Sequence, residues 1–159
     1  CGRHGWQRER VMKAARLALA AALTGGGLAA GPAVADADHT ARMQYILHCA
    51  GCHQADGQGA PDSGVPDMRG QLGHFLKLPE GRAFLVKVPG TSNSALSNRE
   101  VTRLLNWMVR SFSAPTLPAD FVPYTEAEVT ALRSAPLDNV AGERAAIVTR
   151  LAGQGITIR

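Results

Sequence analysis

Cys49, Cys52 and His53 stand within five positions of one another in "HCAGCHQADGQG". Two thiols separated by two residues, with an imidazole next to the second, serve three kinds of chemistry. They bind zinc, they exchange electrons as a dithiol, or they anchor a haem through thioether bonds while the histidine binds its iron. Zinc asks for a second ligand pair. No cysteine follows Cys52, and His39, His48 and His74 lack the spacing of such a pair. A redox dithiol asks for a preceding strand within a βαβ pattern, which the sequence does not show. The C-x-x-C-H spacing is that of covalent haem c attachment: both sulfurs reach the vinyl-bearing edges of one porphyrin, and His53 is then the proximal iron ligand. A large apolar group that cannot leave also replaces core that a small domain lacks. The expectation is one covalent haem c held by Cys49, Cys52 and His53.

The 159 residues, 45% apolar and 19% charged, suffice for one ordinary soluble domain. Residues 12–35, "MKAARLALAAALTGGGLAAGPAVA", read as a secretory signal peptide. Lys13 and Arg16 begin it, an apolar run from Leu17 to Ala30 follows, and Ala33-Val34-Ala35 forms the cleavage site. The run is too short and glycine-rich for a membrane span, so no stable membrane insertion is expected and the location is periplasmic or otherwise exported. Residues 1–11 stand before a complete signal and read as a start-site artefact, which removes Cys1 from the chemistry. Residues 1–35 hold five of the seventeen Lys/Arg and one of the thirteen Asp/Glu, leaving twelve of each beyond Ala35. That balance removes the electrostatic argument for a nucleic-acid partner.

The elements that must position the motif are helical. Asp38 to Cys49 predicts a short helix ending at the motif, with Met43, Ile46 and Leu47 at one-face spacing and Met43 expected in the core. Residues 54–70, rich in glycine and proline, read as a loop. In the following "QLGHFLKLPEGRAFLVKVPG", the Pro79-Glu80-Gly81 turn divides the stretch, and Ala83 to Val88 fits either a short helix or an extended piece. The clearest helix runs from about Asn98 to Phe112. Ser97 and Glu100 form its capping box, and Val101, Leu104, Leu105, Met108 and Phe112 form its apolar stripe. A linker, "SAPTLPADFVP", leads to a helix opened by Thr125 and Glu128 and ending near Arg133. A last helix spans about Asp138 to Leu151.

This order of helix, C-A-G-C-H, loop with "VPDMRG" and amphipathic "LSNREVTRLLNWMVRSF" resembles the class I cytochrome c family over Asp38 to Phe112. The resemblance implies an all-α, cytochrome c-like domain around one haem at 36–112, followed by a helical extension at 113–159. It implies electron transfer rather than catalysis, between redox partner proteins such as a dehydrogenase donor and an oxidase or other acceptor; a subunit role in a dehydrogenase complex is the alternative. It also implies that the Pro66 carbonyl accepts a hydrogen bond from His53, that Met68 packs on the proximal haem face, and that Trp107 packs where the first and last family helices cross. The chain departs from the family at the distal ligand. A methionine is usual in the loop before the last helix, and here "VKVPGTSNSALS" places Val88-Pro89 there. Met108, Met68, His74 or no protein ligand remain, with Met108 the leading thioether. An open iron would admit small ligands or peroxide, with His74 and Arg82 as the groups to assist.

Overall fold

The computed structural model describes residues 32–159, and helices account for every regular element among them apart from one isolated pairing of Ala60 with Val65. The leader read at 12–35 and the segment before it lie outside the described residues, except for the last four, which open the first helix. That helix, α1, runs Pro32–His48 and is longer than its sequence pattern suggested. One-turn α2 (Ala50–His53) carries the motif. Two further single turns, α3 (Leu72–Phe75) and α5 (Pro89–Ser92), flank α4 (Pro79–Lys87). Then come α6 (Asn98–Ser113), α7 (Glu126–Arg133) and α8 (Val140–Ala152). No helix of the described residues is long and apolar enough to cross a membrane.

Caps set most of these boundaries. Ser97 and Glu100 close a reciprocal capping box at the start of α6, and the Thr125 hydroxyl accepts from Glu128 N at the start of α7. Asn139 does the same for Gly142 N before α8. Pro79-Glu80-Gly81 is not a dividing turn. Pro79 is the first residue of α4, where its missing N–H costs nothing and its fixed φ suits a helix, so the piece around Ala83 to Val88 is helical up to Lys87. Met43 departs from expectation as well: it is 40% exposed. Ala41 and Tyr45, 1% and 0% exposed, supply the buried side of α1 instead.

Residues past Ser113 share the core of the residues before it. Tyr124, Val129, Ile147 and Leu151 are buried in the same apolar cluster as Phe84, Leu104 and Val109. Polar ties hold them there. The Asn106 side chain donates to Tyr124 O (2.9 Å) and accepts from Tyr124 N (2.8 Å) through a buried pair of bonds. The Tyr124 hydroxyl donates to Arg82 O at 2.8 Å. Arg82 gives two hydrogen bonds to Glu128 (2.6 and 2.8 Å) and one to Val122 O, with its guanidinium carbon 4.0 Å from the Tyr124 ring centroid. The guanidinium is engaged both in its plane and on its face, so Arg82 is not available as a charge stabiliser for peroxide.

Two measurements follow from these ties. Asn106→Ala strands two buried backbone groups, each costing roughly 1–3 kcal/mol, so a loss of about 2–6 kcal/mol is expected in urea unfolding; an unchanged midpoint would contradict the pairing. The Arg82 hydrogen bonds hold the Glu128 carboxyl below its ordinary 4.5. The depressed folded pKa makes this contribution full above 4.5 and progressively lost as pH falls below it. Glu128→Gln should therefore lower stability at neutral pH and flatten its decline in acid, as read from melting temperatures across that range.

Candidate functional site

The motif sits where α1 ends, and Tyr45 fixes that end. Its hydroxyl donates to Gln54 O at 2.6 Å, immediately past the motif, and burial pushes its pKa up to about 12. Gln54 has φ of 62° and ψ of 163°, a backbone region nearly reserved for glycine and unfavourable for a side chain by roughly 1–3 kcal/mol, and the tyrosine bond helps hold it there. The Tyr45 ring lies 5.6 Å from that of Trp107 and 5.0 Å from that of Phe112, with Trp107 and Phe112 5.3 Å apart. This trio locks α1 onto α6 through edge-to-face and tilted contacts.

Residues 54–70 then fold back on the motif as a stapled loop. Gly59 N donates to His53 O (2.9 Å), Met68 N donates to Gly57 O (2.8 Å), and Ala60 pairs with Val65 in both directions. Arg69 binds Asp67 and Asp56 across the loop mouth. The far end of α6 closes the assembly. Gly70 N donates to Phe112 O, and the fully buried Ser113 hydroxyl accepts from Leu72 N and donates to Met68 O, both at 3.0 Å. Gly57 approaches Phe112 so closely that a Cβ would lie 3.2 Å from the ring.

The loop brings Pro66 back to His53. Burial lowers the His53 pKa from its ordinary 6.5, and the nearby Pro66 carbonyl pulls the other way without overcoming it. The ring is therefore a neutral imidazole at neutral pH. Nδ1 is buried and falls short of a full hydrogen bond to any of the described residues, Pro66 included. Cys49 is half-buried and Cys52 exposed, both as free thiols. Burial pushes the Cys49 thiol up from its ordinary 9.0, the opposite of what a reactive dithiol needs. Among the described residues no three His, Cys, Asp or Glu side chains converge as a metal cage.

The remaining candidates are dispersed. Met68 is buried two residues past Pro66, on the loop that faces His53. Met108 is half-buried on α6 against the apolar cluster. His74 lies on α3 with its Nδ1 buried and unpaired, and burial lowers its pKa. Sequence reasoning missed Tyr45 and Gly59. The left-handed backbone at Gly59 leaves a signal only in the glycine itself, and the tyrosine's partner is a carbonyl.

No family model matches the chain, and no solved structure does. Two curated relatives do. Over 128 residues the chain is 29% identical to a cytochrome c-552 of Thermus thermophilus, covering 69% of this chain and 84% of that relative. The chain is similar to c-type cytochromes. A second cytochrome c-552 of Thermus thermophilus is also 29% identical, over 112 residues that cover 59% of this chain and 85% of the relative. The all-α architecture agrees with a cytochrome c fold.

Gly59 tests how the site is held. It has φ of +64°, and a Cβ there would lie 2.5 Å from Pro66 O and 2.6 Å from Val65 O. Gly64 also has positive φ, at 79°, but faces open space. Gly59→Ala should exceed Gly64→Ala in lost stability by about 1–3 kcal/mol, because it adds a backbone clash to the shared strain. Equal losses in thermal unfolding would show that the loop does not depend on that close approach.

Proposed function

We propose that this chain is an exported c-type cytochrome that holds one haem c and carries single electrons between redox proteins. The observation that carries this reading is the arrangement at α2. Two thiols three residues apart stand beside a neutral imidazole that the Pro66 carbonyl approaches and whose buried Nδ1 has no full hydrogen-bond partner among the described residues.

These residues fit a covalent haem. Cys49 and Cys52 would form the thioethers and His53 would bind the iron through Nε2. A hydrogen bond from Nδ1 to a backbone carbonyl such as that of nearby Pro66 would orient a ligating histidine and strengthen it as a donor. Ile46, Cys49, Ala50 and Met108 are half-buried at the edge of the apolar cluster, the surroundings a large apolar group requires. When bound, the haem supplies the one-electron couple, and the chain supplies orientation and exclusion of water. The engagement of Arg82 by Glu128 and Tyr124 favours a carrier over peroxide chemistry. The leader at 12–35 supports export, and the balanced charge beyond Ala35 implies partner encounters that depend weakly on salt.

One observation favours a second reading, a haem protein that takes a small ligand at iron. The segment before α6, Val88 to Ser97, holds only Val, Pro, Gly, Thr, Ser, Asn, Ala and Leu, none a usual axial ligand. Met108 remains the thioether candidate for a closed site.

Protein produced with a haem c maturation system should be coloured, give a haem c pyridine haemochrome and keep its pigment through acid-acetone extraction. Cys49→Ala with Cys52→Ala should abolish that retention. Extraction of the pigment from the wild type would sink the proposal. Carbon monoxide added to the ferrous protein separates the two readings: an unchanged spectrum supports the carrier with a strong sixth ligand.

A further inference from the structure

Arg69 joins the two arms of the loop that returns to His53. Its guanidinium donates to Asp67 twice, from Nε to Oδ1 at 3.0 Å and from a terminal nitrogen to Oδ2 at 2.9 Å, and to Asp56 Oδ2 at 3.0 Å. Each carboxylate is also bound to backbone: Asp56 Oδ1 accepts from Gln58 N (3.1 Å) and Asp67 Oδ1 from Arg69 N (2.8 Å). The bridge therefore acts on the main chain and not on loose side chains. Both of its ends lie near the site. Asp56 is three residues past His53, on the arm that leaves the motif, and Asp67 directly follows Pro66 on the arm that comes back. Gly59 marks how near the arms pass: its N–H donates to His53 O at 2.9 Å, and a Cβ on it would lie 2.5 Å from Pro66 O. The guanidinium closes the mouth of the loop whose inner contacts bring the Pro66 carbonyl beside the histidine.

We propose that Arg69 is a positioning residue for the proximal ligand: by clamping Asp56 to Asp67 it holds the Pro66 carbonyl beside His53 and so lowers the reduction potential of the iron. The inference rests on the haem reading above. A carbonyl that accepts from Nδ1 of a ligating histidine strengthens the imidazole as a donor, which favours ferric over ferrous iron. Loosening the mouth of the loop weakens that bond and raises the potential. Removing the cation acts in the opposite sense, because a nearby positive charge disfavours the ferric state and its loss lowers the potential. The two effects of Arg69 therefore differ in sign. A planar fork holds both carboxylates, whereas lysine keeps the charge and gives up the bridge geometry.

The test uses holoprotein, read by redox titration and by amide hydrogen exchange. Arg69→Lys should shift the reduction equilibrium toward ferrous iron by about threefold, which is about 30 mV at 59 mV per tenfold, the size expected from losing a solvent-exposed ion pair. The Gly59 and Met68 amides, which donate to His53 O and Gly57 O within the same loop, should exchange about threefold faster. Arg69→Ala should loosen these amides at least as much, yet its potential should lie below that of Arg69→Lys because the charge is lost as well. Arg99→Lys, at an exposed arginine of α6 set against Glu126, should leave both readouts at the wild-type value. Exposed ion pairs add little to stability, so all three variants should accumulate as holoprotein and melt close to wild type. A wild-type potential in Arg69→Lys with a lowered one in Arg69→Ala would assign Arg69 a role through charge alone and overturn the proposal. Faster amide exchange with no change in potential would overturn it too, and an intact haemochrome would in either case leave the haem reading standing. A wild type without covalent haem would overturn both.

Discussion

Closure of the Gln54–Gly70 loop onto the end of α1 is the constraint on which the rest depends. An imidazole beside two thiols is useful as a one-sided ligand only if one nitrogen faces the protein and the other is left free. The loop returns Pro66 to the neighbourhood of His53, and the return requires Gly59, where any Cβ would displace the carbonyls of Val65 and Pro66. The Gly59 N bond to His53 O, the Met68 N bond to Gly57 O and the Arg69 bridges to Asp56 and Asp67 distribute the closure over several weak interactions. The exposed ion pairs among them contribute least.

The second dependence is of the site on the two ends of the chain around it. Tyr45, Trp107 and Phe112 join α1 to α6, and Phe112 and Ser113 then supply backbone and hydroxyl partners to the loop. The C-terminal region provides what short helices and connections lack, donors and acceptors for buried backbone. Asn106 and Tyr124 exchange a pair, Arg82 and Glu128 bridge α4 to α7, and Arg133 gathers the carbonyls before α6. A chain with several one-turn helices leaves many peptide groups unpaired, and here long-range side chains answer for them.

Legibility in the sequence followed the range of the interaction. The motif, the caps at Ser97 and Thr125, and the apolar stripe of α6 are set by residues within a turn or two of each other. The chain order therefore displays them. Pro79 is readable either as a turn or as a first helical position, and the burial of Gly81, Phe84, Leu85 and Val86 decided for the helix. Met43 and Ile46 share a spacing that suggests burial, yet the side of α1 that meets α6 is marked by Ala41 and Tyr45.

The sequence by itself determined the chemistry on offer, two thiols and an imidazole at haem c spacing, and the helical class, because both are written in local spacing. Only the tertiary structure decided that His53 Nδ1 is buried without a full partner, that Arg82 is spent on Glu128 and Tyr124, and that Arg133 reaches back 41 residues to Ser92. Those outcomes depend on which carbonyls are left unpaired once the helices pack. A residue's identity fixes what bonds it can make, whereas the fold fixes which partners come within reach.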